Sequence, residues 1–408
     1  MPPLEADLSI PAGVSGILLS PEIQAAFAEI DATTDVADEL LIPICETPAP
    51  PFKEGHRAAL VNRGFQEAGV SSVIDEEGNV IASLPGRARA PRIIISAHLD
   101  TVFPEGTDVR VRRQGARLLA PGISDNACGV ASLLALARIM RSAGVETEGT
   151  VFFVASVGEE GEGNLRGVRH LFTRGKFKDG ANAFVSLDGP GLERITNRAL
   201  GSRRYRVTIT GPGGHSWGDF GIVNPVHALG RAIARFAAYP APTAPRTSFN
   251  VGIIEGGNSV NAIPEHARMT VDMRSLSTDE IDKLESYLRK VVDIAIREET
   301  AQRAFSGTGL SCSFELIGDR PSGETPAGSR LVQTALDCSR VLGIEPRLDC
   351  SSTDSNIPIS MGIPAVTIGV GGQSGNCHSL NEWYEPAGHE VGLKRLLLLT
   401  VALAGIAV

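Results

Sequence analysis

Residues 92–100 read Arg-Ile-Ile-Ile-Ser-Ala-His-Leu-Asp. Both alternating faces of the run 93–97 are apolar but for Ser96. A run this short and this apolar is a strand covered on both sides, as in a parallel sheet between helix layers. It breaks off at His98 and Asp100, which alternation puts on one side. Three further runs share the character: 150–156 (TVFFVAS), 183–187 (AFVSL) and 365–370 (AVTIGV). Helical spacing lies between them, at 129–142, 168–177 and 328–342. Buried strands alternating with helices predict an α/β domain with a mostly parallel central sheet.

Upstream, the spacing predicts helices over 20–44 and 53–69, the second entered through Pro48, Pro50 and Pro51. A strand pair is expected over 73–84, turning at Glu77-Gly78-Asn79. The pattern changes near residue 200. Alternating strands at 204–210, 247–254, 267–274 and 311–316 enclose helices at 225–238 and 279–304. That order is β-α-β-β-α-β, a small α+β domain. The expected organisation is a first α/β part (1–199), an inserted α+β domain (200–318) and a second α/β part (319–408).

Composition narrows the function. The 408 residues carry 38 Lys plus Arg against 47 Asp plus Glu, a net charge of -9. Such a chain is a poor ligand for polyanions, so neither nucleic acid nor membrane is an expected partner. The first twenty residues lack a basic-then-apolar signal pattern. The apolar run 396–408 is too short to span a bilayer and reads as a buried terminal helix. Six cysteines stand without a C-x-x-C pair, which fits reduced thiols in a cytoplasmic protein.

Acidic and histidine residues follow the buried runs, where such sheets place ligand sites. They are His98 and Asp100; Asp125 in Gly-Ile-Ser-Asp-Asn (122–126); Glu159 and Glu160; and Asp188. His378 ends a Gly-rich loop. Singly, each has an ordinary explanation: a packed histidine, a helix cap, a solvated pair. Jointly they are harder to dismiss. Two adjacent carboxylates after an apolar strand cannot both be buried as anions without a cation. Histidines with carboxylates form an N/O donor set suited to Zn²⁺ or a similar divalent ion. A glutamate left unbound beside such an ion would serve as general base.

These segments resemble the M20 metallopeptidase family, its tripeptidase-like branch in particular. The matching motifs are His98-Leu99-Asp100, Asp125-Asn126 with Cys128-Gly129, and Gly158-Glu159-Glu160-Gly161. Gly211–Ser216 with its histidine, Asn261–Pro264, Asp272-Met273-Arg274, Gly371-Gly372 and His378–Glu382 continue the match in order over nearly the whole chain. The resemblance implies a zinc-peptidase-like catalytic domain whose insert is a lid and dimerisation domain. It implies two divalent ions, Zn²⁺ first, with Mn²⁺, Co²⁺ or single occupancy as alternatives. His98 and Asp188 would hold one ion, Glu160 and His378 the other, and Asp125 would bridge both. Glu159 would activate the bridging water and Asp100 would orient His98. His215 would stabilise the oxyanion in the partner subunit of a homodimer. Asn261 and Arg274 would clamp the substrate, and Gly371 and Gly372 would let backbone approach it.

The expected activity is metal-dependent hydrolysis of an amide bond in a small peptide or N-acyl amino acid. The alternative is an aminohydrolase releasing ammonia from an aromatic or ureido compound on the same site. A non-catalytic binding protein would have lost the base or a ligand, and Glu159 and every ligand type are present. Cys377 reads as a small packed residue beside His378, and Asp354 as a turn former.

Overall fold

The computed structural model describes residues 13–32, 37–303 and 309–407. The middle of the helix expected over 20–44 (33–36), the end of that over 279–304, and the start of the chain (1–12) lie outside the described residues. The chain divides into two compact units, Met1–Ala199 with Glu324–Val408, and Leu200–Gly323.

The first unit is built on a central sheet whose middle strands are parallel. Thr150–Ser156, Arg92–His98, Ala183–Leu187 and Ala365–Ile368 lie side by side in that order. The expected hairpin is present as Ser71–Ile74 and Val80–Leu84, and adds an antiparallel edge beside Thr150–Ser156. The register sets the strand ends level: His98 pairs with Ser156, and Ala97 with Ala155 and Leu187. These three parallel strands therefore stop at one rim.

Helices cover both faces, as the doubly apolar strands require. Cys128–Ser142 and His389–Ala404 are buried on nearly every side, and they pack with Ile93, Ile95 and Phe153 in one core. The apolar stretch Ile123–Ser142 is long enough to cross a membrane by composition, but 89% of its apolar window is buried inside the unit. Arg166–Thr173 lies on the opposite face, in a second core with Ile94, Phe172, Phe177 and Phe184. Full burial of one such side chain contributes about 1.5–3 kcal/mol, so these two clusters dominate the unit's cohesion.

The second unit is a four-stranded antiparallel sheet in the order Thr247–Gly256, His266–Ser275, Gly201–Thr210, Ser311–Arg320. Pro225–Ala237 and Thr278–Ala301 pack on one face, burying Val207, Ile209, Phe236, Met269 and Leu288. The other face keeps the polar members of the alternation, among them Arg204, Arg206, Asp272 and Arg274. The last strand runs on to Arg320, beyond the expected Leu316.

Candidate active site and metal centre

Five segments meet at the strand-end rim of the first unit. His98 is the last residue of its strand. Glu159 and Glu160 follow Thr150–Ser156, and Asp188 follows Ala183–Leu187. Asp125 sits in the turn before helix Cys128–Ser142, where its backbone departs from helical geometry (φ -130°, ψ 91°). His378 arrives from the distant C-terminal loop with positive φ.

Asp125 is the centre of the cluster. Its Oδ1 lies 3.0 Å from His98 Nε2, and its Oδ2 lies 2.9 Å from His378 Nε2. His98 Nε2 is also 3.9 Å from Asp188 Oδ1, and His378 Nε2 is 3.2 Å from Glu160 Oε1. One oxygen of Asp125 thus faces His98 and Asp188; the other faces His378 and Glu160. Donor atoms of His98, Asp125 and Glu160 all lie within 4.8 Å of one another. Asp125 Oδ1 is buried and accepts no hydrogen bond, despite the nearby imidazole. That geometry suits donors converging on a common cation better than donors bonded to each other. Cys377 Sγ lies 3.3 Å from Asp125 Oδ2, so this thiol is at the cluster and exposed rather than packed away.

The electrostatics favour positive charge here. Burial pulls the His98 pKa down, but Asp100, Asp125 and Asp188 outweigh it and hold the imidazole well above its ordinary value. Hydrogen bonds to Asp125 and Glu160 push His378 up to about 10. Burial works against ionised Asp125, yet both histidines hold it far below the usual carboxylate range. Carboxylates at this density attract cations, and an N/O set of this kind fits a divalent metal.

Side chains that do not face the cluster hold its segments. Asp100, fully buried, accepts from Glu159 N at 2.9 Å and Glu160 N at 2.7 Å. His98 Nδ1 is 3.1 Å from the Asp100 carbonyl oxygen and 3.7 Å from its carboxylate. Asp100 therefore steadies the imidazole largely through its backbone, while its side chain fixes the glutamate pair. Buried Arg57 donates to the carbonyls of Thr47, Cys45 and Leu99, pinning the approach to Asp100. Asn126 donates to Leu187 O at 2.7 Å, on the strand that delivers Asp188. Asp354, fully buried, approaches Ser156 Oγ at 2.5 Å, and burial lifts its pKa to about 6. Glu382 accepts from the Asp125 turn. Residue spacing gave none of Asn126, Arg57 or Glu382 a role. Glu382 was visible only as the end of a motif.

A cavity of about 290 Å³ opens beside the cluster, lined by Asp125, Asp188, Thr196, Thr353, Thr367 and Cys377. Gly371 and Gly372 have positive φ and are buried against their own chain: an added Cβ would sit 2.5 Å from Gly388 O and 2.6 Å from the Tyr384 ring. Packing alone accounts for both glycines.

The remaining candidates lie on the second unit. A two-stranded ribbon pairs His215 with Ala262, and Ser216 N donates to Asn261 O at 3.0 Å, so His215 and Asn261 are neighbours. His215 Nδ1 accepts from Trp217 N and Gly218 N, both at 3.2 Å, which leaves Nε2 as the proton-bearing nitrogen. Arg274 Nε donates to Asp272 Oδ2 at 2.7 Å, and Arg204 Nε to Asp272 Oδ1 at 2.8 Å.

Comparison with known proteins gives the family and the fold. The model of the family "Peptidase family M20/M25/M40" matches residues 94–401. A putative succinyl-diaminopimelate desuccinylase from Mycobacterium tuberculosis is 25% identical over 82% of this chain and 89% of its own length. A solved tripeptidase from Staphylococcus aureus superposes with TM-score 0.75 at 19% identity, covering 90% of this chain and 97% of that one. A dinuclear metal-binding peptidase of the M20 family from Bacillus subtilis, YXEP, superposes with TM-score 0.66 at 17% identity, covering 94% and 100%. At these identities the two structures establish likeness of fold.

Proposed function

We propose that this chain, which belongs to peptidase family M20/M25/M40, hydrolyses an amide bond in a short peptide or an N-acyl amino acid. It is a hydrolase of the peptidase and amidohydrolase class that the family comprises. The observation carrying the finer reading is Asp125, whose two oxygens face two separate donor pairs. His98 with Asp188 and Glu160 with His378 would each hold a divalent ion, Zn²⁺ foremost, with Asp125 shared. Such ions, when bound, supply Lewis acidity toward a water and a carbonyl oxygen.

The chain's own groups do the rest. Glu159 takes the proton of the attacking water and delivers it to the leaving nitrogen. Asp100 fixes the backbone of both glutamates, so the base stays beside its ligand neighbour. His215 hydrogen-bonds through its Nε2–H to the oxyanion of the tetrahedral species, from the other subunit of a homodimer. Asn261 and Arg274 hold the substrate carboxylate, the guanidinium aimed by Asp272. The cavity beside Asp125 and Asp188 takes the substrate's side chain or acyl group. The desuccinylase and tripeptidase likenesses support a small substrate, and a cytoplasmic location is part of the same proposal.

The test is a product assay after reconstitution with Zn²⁺, Mn²⁺ or Co²⁺, each with a chelated control. Substrates are di- and tripeptides, N-acyl amino acids and amino-substituted aromatics. Metal-dependent release of an amino acid is expected. Release of ammonia from an arylamine, with peptides untouched, would replace amide hydrolysis by deamination.

A further inference from the structure

The turn 122–126 delivers Asp125 by leaving helical geometry, and the N–H groups of Gly122, Ser124 and Asp125 find a side-chain acceptor. Buried N–H groups without acceptors are costly. Glu382 accepts them. Its Oε2 takes Gly122 N at 3.0 Å. Its Oε1 takes Ser124 N at 2.8 Å, Ser124 Oγ at 2.7 Å and Asp125 N at 3.0 Å. Glu382 is 0% exposed, and no arginine, lysine or histidine forms an ion pair with it among the described residues.

The same residue is built into the other side of the cluster. Glu382 lies four positions after His378. Its N–H donates to Ser379 O at 3.1 Å, and its carbonyl accepts from Ala120 N at 3.1 Å. The next residues, Trp383 and Tyr384, pair with Leu119 and Leu118. Backbone pairing thus brings the His378 segment alongside the Asp125 turn, and the Glu382 carboxylate locks the two together.

A buried anion offset only by neutral dipoles needs a reason to be there. Two carboxylates placed in sequence behind one another become favourable together once a cation sits beyond Asp125. Aligning Asp125 between His98 and His378 is what such a lock accomplishes. We infer that Glu382 is a positioning residue of the metal centre, holding Asp125 and His378 in mutual register so that one carboxylate can serve two ions. The inference rests on the proposed role of Asp125 as the shared ligand.

The test is calorimetric titration of the chelator-treated, full-length protein with Zn²⁺, alongside thermal melts and steady-state kinetics. Glu382→Gln keeps the volume but turns one acceptor into a donor facing an N–H. The expected result is at least one Zn²⁺ bound roughly 10–100-fold more weakly, the usual consequence of losing a group that orients a ligand. kcat should fall while KM stays near that of wild type, because Glu382 does not line the cavity. Wild-type affinity and stoichiometry in Glu382→Gln would overturn the inference, whatever the melting temperature does.

Should Glu382→Gln fail to fold, Ser124→Ala, which removes only the hydroxyl donor, decides. A weaker Zn²⁺ site is expected, and an unchanged one would overturn the inference. A wild-type protein that takes up no divalent ion would overturn the proposed metal centre itself. A wild-type protein that takes up two, with a matching variant, would overturn the role of Glu382 alone.

Discussion

The two groups of candidate residues are held very differently. At the strand-end rim, His98, Asp100, Glu159 and Glu160 are all buried. Their segments are fastened by Asp100, Arg57, Asn126 and Glu382. On the second unit, His215 and Asn261 are exposed, on a ribbon whose surroundings include Trp217 at 87% and Val260 at 102% exposure. The rim is organised to the level of single hydrogen bonds. The ribbon fixes His215 Nδ1 with two backbone N–H groups but presents its side chains outward. The comparison teaches that, in the proposed mechanism, the rim's part rests on geometry already in place, whereas the ribbon's would rest on what it is brought against.

Substitutions should therefore separate into two kinds. Glu159→Gln is expected to lower kcat by about 10²–10⁴-fold, the usual weight of a general base. Zn²⁺ content by elemental analysis should stay unchanged. Full activity would remove Glu159 from the mechanism. His215→Ala should cost about 10²–10³-fold in kcat, as loss of an oxyanion donor does. Being exposed, it should leave the melting temperature unmoved. Mixing it with Glu159→Gln subunits should restore partial activity if His215 acts across a dimer. Heterodimers that form and stay inactive would place His215 elsewhere.

A third prediction concerns stability rather than rate. His389 is half-buried against Tyr384, whose hydroxyl lies 2.8 Å from Nδ1, and desolvation lowers its pKa from 6.5 to about 4. The folded state thus binds the proton less readily than the unfolded state. Its stability is complete above pH 6.5 and is lost as pH falls toward 4, by roughly 2–4 kcal/mol over the window. Denaturant midpoints for wild type and His389→Gln should converge as the pH is lowered. A parallel fall in both would assign the acid sensitivity to other groups.

The smallest effect is expected at the anion end of the second unit. Asp272→Asn loosens the aim of Arg274, and KM for carboxylate substrates should rise about fivefold with kcat little changed, the scale of a half-exposed ion pair. No change in KM would sever Asp272 from substrate binding.

How far the molecule could be read beforehand follows the same division. The α/β class and parallel sheet were legible because doubly buried strands such as Arg92–His98 leave a nearly continuous apolar run. The cluster was legible because sheets of this kind put chemistry at strand ends. What escaped was long-range: nothing local in Glu382 announces that it bonds to Ser124, 258 residues away in sequence. Asp100 was legible as a partner of His98, but not in manner, since its carboxylate is engaged by Glu159 and Glu160. Gly371 and Gly372 read as room for a ligand because a sequence cannot distinguish that from room for Tyr384 and Gly388.

The central claim is that Asp125 serves two cation sites at once. The most direct measurement is Zn²⁺ stoichiometry and affinity for the chelator-treated wild type and Asp125→Ala, with circular dichroism to confirm the fold. Two ions per wild-type chain, and weakening of both sites in the variant, are predicted. Two sites of which one keeps wild-type affinity in Asp125→Ala would contradict the shared ligand.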